Sequence, residues 1–309
     1  MQNEISRREM IGGAMAAAAV GVVPDIARAA GDEESFLDAW QAETDEVKPA
    51  QYREYFRTGQ NKDGLVSLDR LDQGFARVLR EIPETEVGDV PAVWLVYNMG
   101  VVVKTRESLF SVDLVHRRAT ELAPQLDFAL ISHNHDDHYS QDFYRAMNGA
   151  GKTVVNNFID NYGAADWRKG GKYWEKGGYI RGTKVFKIKD VEIRTFLVDH
   201  NSYLIDYTTG FEIRVGRWRM LHTGDCSSAG KINLAWGNKP DLWVQMPGCG
   251  LDNVAGERNV RPKLTAFGHL WELAHDTGRV TASFLRPRLK AVRAVGGKVV
   301  VPLWGERIV

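Results

Sequence analysis

Four good metal ligands, His133, His135, Asp137 and His138, fall within the six consecutive positions His-Asn-His-Asp-Asp-His. Residues two apart on an extended segment point the same way, so His133 and His135 can grip one ion. Where the chain then turns, Asp137 and His138 can face a second ion nearby. Imidazole with carboxylate suits zinc, and also iron or manganese, so the donor set does not choose the metal by itself. The alternative is a polar surface loop whose histidines are merely solvated. Position argues against it: the cluster follows LDFALIS, a continuous apolar run short enough to be a strand buried on both faces, and catalytic loops sit at such strand ends.

The elements around this cluster follow from periodicity. Residues 33–82 are helical and charged, with apolar residues three and four apart. Within them GQNKDGLVSLDR faintly resembles a calcium loop, but Gly59 and Arg70 stand where acidic ligands are needed, so calcium is rejected. After Pro91 the pattern turns to strands in AVWLVYNMGVVVKT and SLFSVDL, followed by a helical stretch, VHRRATELAP. Further strands are expected in VEIRTFLVDH, SYLIDYTTGFEIRVG, RWRMLHTGD and DLWVQMPG, then a helix over 280–295 and a last strand, KVVVPLW. Strand runs with helices between them imply layered sheets covered by helices.

With 309 residues, 40 Lys plus Arg and 40 Asp plus Glu, the chain has no net positive field for nucleic-acid phosphates or an anionic membrane, so no nucleic-acid partner is expected. The start of the chain reads as a signal peptide, residues 1–29. Arg7-Arg8 precedes an apolar run too short to span a bilayer, and Ala27-Arg28-Ala29 offers a cleavage site. The arginine pair resembles a twin-arginine signal, implying the twin-arginine export machinery as a partner and a periplasmic or extracellular location. The expected division is signal peptide 1–29, N-terminal helical arm 30–90 and a layered sheet-and-helix domain 91–309. Cys226 and Cys249 could pair in an oxidising compartment if the fold brings them together.

The motif H-x-H-x-D-H at a strand end resembles the signature of the metallo-β-lactamase superfamily. That resemblance implies an α/β fold, an αββα sandwich, over most of the chain from about Pro91 onward. It implies a structural role for Asp113 in LFSVDL, a third first-metal histidine at His200 in FLVDHNSYL, and a bridging aspartate at Asp225 in MLHTGDCS. Taken alone, His200 and Asp225 would be ordinary structural residues; their order after the cluster reverses that. His116 and His222 keep structural readings. Within the superfamily, HNHDDHY and TGD look most like the branch of ascorbate-phosphate lactonases and N-acylphosphatidylethanolamine phospholipases. The chain departs from that branch at its end, where Leu303-Trp304-Gly305-Glu306 replaces His-Trp-Gly-Thr. A second metal on Asp137, His138 and Asp225 alone would bind weakly. His269 and His275, in FGHLWELAHDTG, are the histidines free to complete it or to contact substrate, with Glu306 next in line.

The resemblance therefore implies two divalent ions, zinc foremost, with Asp137 and Asp225 as the catalytic carboxylates and no organic cofactor. A shared water made acidic by the ions would supply a metal-bound hydroxide for cleaving a phosphodiester, lactone or amide-like bond. Tyr139 could donate to a developing oxyanion or simply pack beneath the loop. Trp167, Tyr173 and Trp174 could floor a pocket for a small-molecule or lipid-like substrate that is anionic and partly apolar. The rival classes are a mononuclear-iron redox enzyme on the same fold and a non-catalytic metal-binding protein.

Overall fold

Strand β1 (Ala92–Tyr97) is buried along its whole length because its side chains alternate between two hydrophobic cores. Val93 and Leu95 enter one core; Trp94, Val96 and Tyr97 enter the other. The same alternation recurs in β2 (Gly100–Lys104) and β4 (Phe128–Leu130), where Val101, Val103, Phe128 and Leu130 face one side and Val102 and Ala129 the other. Such strands read as unbroken apolar runs, which is why LDFALIS carries no polar alternation. The computed structural model describes residues 33–156, 183–200, 208–232, 234–250, 252, 259–275 and 279–309. The expected signal peptide and the insertion bearing Trp167, Tyr173 and Trp174 lie outside the described residues.

Two sheets face each other. The first has strand order β1-β2-β3-β4-β5, with β3 at Leu109–Val112 and β5 at Thr153–Val155. The second runs β12-β11-β10-β9-β8-β7-β6. Its members are β6 (Lys184–Ile188), β7 (Val191–Leu197), β8 (Thr209–Val215), β9 (Trp218–His222), β10 (Leu242–Gln245), β11 (Leu264–Phe267) and β12 (Val299–Val300). Phe110, Val112, Phe128 and Leu130 from the first sheet and Ile193, Phe211, Met220 and Val244 from the second fill the space between them. Both sheets are antiparallel at the start and parallel later: β3, β4 and β5 run together, as do β9, β10, β11 and β12.

The outer face of the first sheet is covered by helices α1 (Glu33–Asp45), α2 (Pro49–Thr58) and α3 (Val66–Glu84). Leu68, Leu71, Phe75, Val78 and Ile82 form the buried stripe of α3, with the spacing expected of an amphipathic helix. Trp94 Nε1 donates to Glu81 of α3 at 2.8 Å, and Trp40 of α1 packs edge-on against Trp304. These helices thus share the core containing Trp94 and Tyr97. At Gly74 the helix touches the backbone of Trp304 and Gly305 so closely that a Cβ would lie 2.4 Å from the Trp304 carbonyl.

Three expected elements differ in extent. AVWLVYNMGVVVKT folds as a hairpin, β1 and β2, turning at Asn98 with φ 52°. Of VHRRATELAP only α4 (Ala119–Leu122) is helical, because the His116 Nδ1 accepts from the Arg118 amide in a turn before it. KVVVPLW pairs only over Val299–Val300; Pro302 has no amide to continue the ladder. The chain then crosses to the first sheet, where the amides of Val93 and Leu95 donate to the carbonyls of Val309 and Glu306 and blunt the β1 edge. Two further helices, α5 (Gln141–Gly149) and α6 (Ala282–Ala294), start at Ser140 and Thr281, each of whose hydroxyls accepts an amide at its N-terminus.

Candidate metal centre

Every candidate ligand follows the carboxyl end of a strand, where open α/β sheets leave their crevices. Asp113 follows β3, His133 to His138 follow β4, His200 follows β7, Asp225 follows β9 and His269 follows β11. Both sheets therefore contribute, and the side chains meet in two groups that share Asp225: His133, His135, His200 and Asp225; and Asp137, His138, Asp225 and His269.

In the first group the ring centres of His133 lie 4.6 Å from His135 and 5.0 Å from His200. The Nε2 atoms of His133 and His200 stand 3.7 and 3.8 Å from Asp225 Oδ2. In the second group His138 Nε2 is 2.8 Å from Asp225 Oδ1, and His269 Nε2 is 3.2 Å from Asp225 Oδ2 and 3.4 Å from Asp137 Oδ2. One buried carboxylate orients rings of both groups. Asp113 faces His138 Nδ1 at 2.9 Å and accepts the Ser132 amide and hydroxyl at 2.6 Å each; Ser132 Oγ in turn lies 3.0 Å from His133 Nδ1. With Nδ1 engaged, each ring turns Nε2 into the site, the arrangement that fixes metal-ligating imidazoles. Gly224, at φ 49°, lets the β9 loop pass Ser132, where a Cβ would lie 2.7 Å from its hydroxyl.

The donor set fits metal ions on its own chemistry. His133 Nε2, His200 Nε2 and Asp137 Oδ1 are buried with no hydrogen-bond partner, a costly state for polar atoms unless a ligand completes them. Burial holds the imidazoles of His133, His135 and His200 below the ordinary histidine value, so they are neutral lone-pair donors. Burial also opposes charge on His138 and His269. There the Asp225 and Asp137 carboxylates prevail, raising His138 well above the ordinary value and His269 to about 10. Against the same burial, the facing imidazoles keep Asp137 and Asp225 well below the usual carboxylate range.

The residues expected at the site divide clearly. His269 joins the second group. His275 does not: it sits at the mouth with Nδ1 3.1 Å from Glu272 and Nε2 3.4 Å from Asp136, forming with Asp136 and Asp137 a separate, more exposed cluster. Leu303 packs against the hydrophobic core, and the Glu306 carboxylate accepts the Leu303 amide, so neither reaches the ligand groups. The second group nevertheless has four members, because its last histidine comes from β11 and not from the neighbouring β12. Tyr139 is buried edge-on to Tyr144, as packing would have it. His116 stacks on Phe75, and His222 bonds the Met99 carbonyl, both structural. Cys226 and Cys249 are buried in one small core with no disulfide between them, and the Cys226 thiol donates to the Ser228 carbonyl.

Sequence reasoning missed Asn98, Ser132 and Glu272. Glu272 is buried and accepts the amides of Ala274 and His275 and the Tyr97 hydroxyl, shaping the loop that carries His275. A usable signal existed for Asn98: an Asn between two apolar runs marks a turn that tolerates positive φ.

A family model described as Beta-lactamase superfamily domain matches residues 100–241. That stretch of the chain is similar to the beta-lactamase superfamily domain. The metallo-β-lactamase fold protein YhfI from Bacillus subtilis is similar at 16% identity, covering 71% of this chain and 99% of that one with a TM-score of 0.50. Igni18, a metallo hydrolase from Ignicoccus hospitalis, aligns at 16% identity over 71% of this chain and 98% of its own, TM-score 0.46. The diiron β-hydroxylase CmlA from Streptomyces venezuelae aligns at 13% identity over 71% of this chain and 54% of its own, TM-score 0.49. No curated protein sequence matches. The metallo-β-lactamase fold accounts for the two facing sheets, and the matched span holds every ligand of both groups except His269, which lies beyond it.

Proposed function

We propose that this protein is a metal-dependent hydrolase that cleaves an ester-type bond, a phosphodiester ahead of a lactone or an amide-like bond. The observation that carries the reading is the meeting of two four-residue ligand groups at Asp225, with buried imidazole nitrogens left without partners. His133, His135 and His200 would hold the first ion, Asp137, His138 and His269 the second, and Asp225 both. Two divalent ions, zinc foremost and iron or manganese compatible, would make a shared water acidic near neutral pH and polarise the bond to be cut.

The chain's own residues supply the rest. Asp113 and Ser132 keep the rings of His138 and His133 in one orientation, so no reorganisation is needed when substrate arrives. Burial of His133, Asp137, His138 and Asp225 keeps bulk water from the ligands. Two divalent ions held by only two carboxylates leave the centre cationic, which favours an anionic substrate and ranks the phosphodiester first. Glu272 holds His275 at the mouth, where its ring faces whatever enters.

The test is turnover of metal-loaded protein on an aryl phosphodiester, a lactone and an anilide, alongside metal analysis. We expect two ions per chain and the highest kcat/KM on the phosphodiester. A single iron per chain with no hydrolysis of any of the three would overturn the reading. The same proposal includes export by the twin-arginine route to the periplasm or beyond. Replacing Arg7 and Arg8 by Lys should retain folded precursor in the cytoplasm, and unchanged secretion would exclude that route.

A further inference from the structure

Four of the five non-glycine residues with positive φ among the described residues lie around the ligand groups: Asn98 (52°), Asp113 (49°), His269 (54°) and Trp271 (60°). Backbone strain of this kind persists only where the surroundings fix it, and it concentrates at functional sites. Asp113 already has its role. Asn98 has none in the chemistry described so far, although it is 1% exposed and its amide points straight at the second group.

Asn98 Nδ2 lies 2.8 Å from Asp137 Oδ2 and 3.4 Å from both the Asp137 carbonyl and His138 Nε2. On the other side of the same residue, the Asn98 carbonyl accepts the amide of His269 at 3.2 Å. Gly268 presses against this turn, where a Cβ would meet Met99 Sδ at 2.3 Å and the Asn98 carbonyl at 3.1 Å. Asp137 comes from the loop after β4 in the first sheet and His269 from the end of β11 in the second. The β1–β2 turn is thus the point where the two sheets exchange hydrogen bonds beside the second ligand group.

We propose that Asn98 is the positioning residue of the second metal site: its side-chain amide fixes Asp137 while its backbone carbonyl seats His269. The inference rests on the two-ion reading above. The chemistry fixes the amide's orientation, because an NH2 donates to a carboxylate that a carbonyl oxygen would repel. The same Asp137 Oδ2 stands 3.4 Å from the Nε2 atoms of both His138 and His269, so the amide holds the carboxylate at the edge that faces the other members of the group. Asn suits the position twice over: its short polar side chain tolerates φ near 50° better than most residues do, and it carries the required donor.

The test is a competitive zinc titration of metal-free wild type and of Asn98→Ala, Asn98→Gly and Asn98→Asp, resolving first-ion and second-ion affinities. Thermal unfolding of each metal-free variant checks that it folds. Ala and Gly should each weaken the second ion by about 10–100-fold, the usual effect of removing a residue that orients a ligand, and leave the first ion unchanged. Gly relieves the backbone strain without restoring the donor, so equal losses in Ala and Gly assign the effect to the amide. Asp retains the size and the turn preference but cannot donate when ionised. It should weaken the second ion as well, and a tightened second ion would overturn the proposal by making position 98 a ligand. Wild-type second-ion affinity in all three folded variants would also overturn it. A wild type that takes up only one ion would instead defeat the two-ion reading itself.

Discussion

The first ligand group sets three imidazoles, held neutral by burial, around a single carboxylate, whereas the second sets two imidazoles against two carboxylates that hold them protonated. The first is ready for a cation at neutral pH and has little to give up. The second, without metal, is a buried ion-pair cluster that keeps its shape through its own protons, and an ion must displace them. The two halves of one centre should therefore load differently, although they share Asp225.

The largest effect should come from the shared residue. Asp225→Ala should empty both sites and abolish hydrolysis, measured by metal analysis of the purified variant; one ion retained at full occupancy would mean that Asp225 serves only one group. Next come the single-site changes. His133→Ala should remove the first ion and all activity. His269→Ala should remove only the second ion, lowering activity by more than the 10–100-fold expected of a supporting residue. A His269→Ala protein that still bound both ions would shift the search to His275.

How far the sequence could anticipate this centre depends on the distance each ligand travels. His133 to His138 are neighbours in the chain, so their joint role was readable from spacing on one strand end. His200 and Asp225 needed the family resemblance, because nothing local distinguishes them from a structural histidine and a turn aspartate. His269 and His275 were indistinguishable as sequence. What separates them is the pairing of β11 beside β10 and the positive φ at His269 and Trp271, which turn one ring inward and carry the other to the mouth. The departure at Leu303 pointed to both histidines as replacements, but which of them stands beside the second group was not readable, since that depends on the order of β10, β11 and β12 in the sheet. In the fold, strands buried on both faces were the clearest signals, and α4 was overextended because a His116 turn takes the place of its first residues.

A smaller effect sharpens the contrast through pH. His138 and His269 have folded-state pKa values above the ordinary histidine value, His269 at about 10, so the second ion competes with protons throughout the neutral range. Its affinity should rise with pH up to about 10, while that of the first ion should be flat above the ordinary histidine pKa of about 6.5. Calorimetry in buffers of different ionisation enthalpy should detect proton release with the second ion and not with the first. Equal release for both would erase the distinction.

The smallest effect concerns the metal-free fold. His116, lowered to about 3, and His222 are kept neutral in the folded chain by burial, yet both take protons once unfolded. The unfolded state then binds more protons below about pH 6.5, so stability falls as pH drops through that point. His116 alone should cost about 2 kcal/mol between pH 7 and 5, at about 1.4 kcal/mol per pH unit. Urea unfolding of the metal-free protein at the two pH values measures it; unchanged stability would mean that His116 is not held neutral.

The central claim is that two ions sit on either side of Asp225 and that His269 completes the second. Anomalous scattering at the metal edge from crystals of the zinc-loaded protein tests it directly. Two peaks should appear, one among His133, His135 and His200 and the other among Asp137, His138 and His269, both against Asp225. A single peak in the first group, or a second peak with the His269 ring turned away, would contradict it.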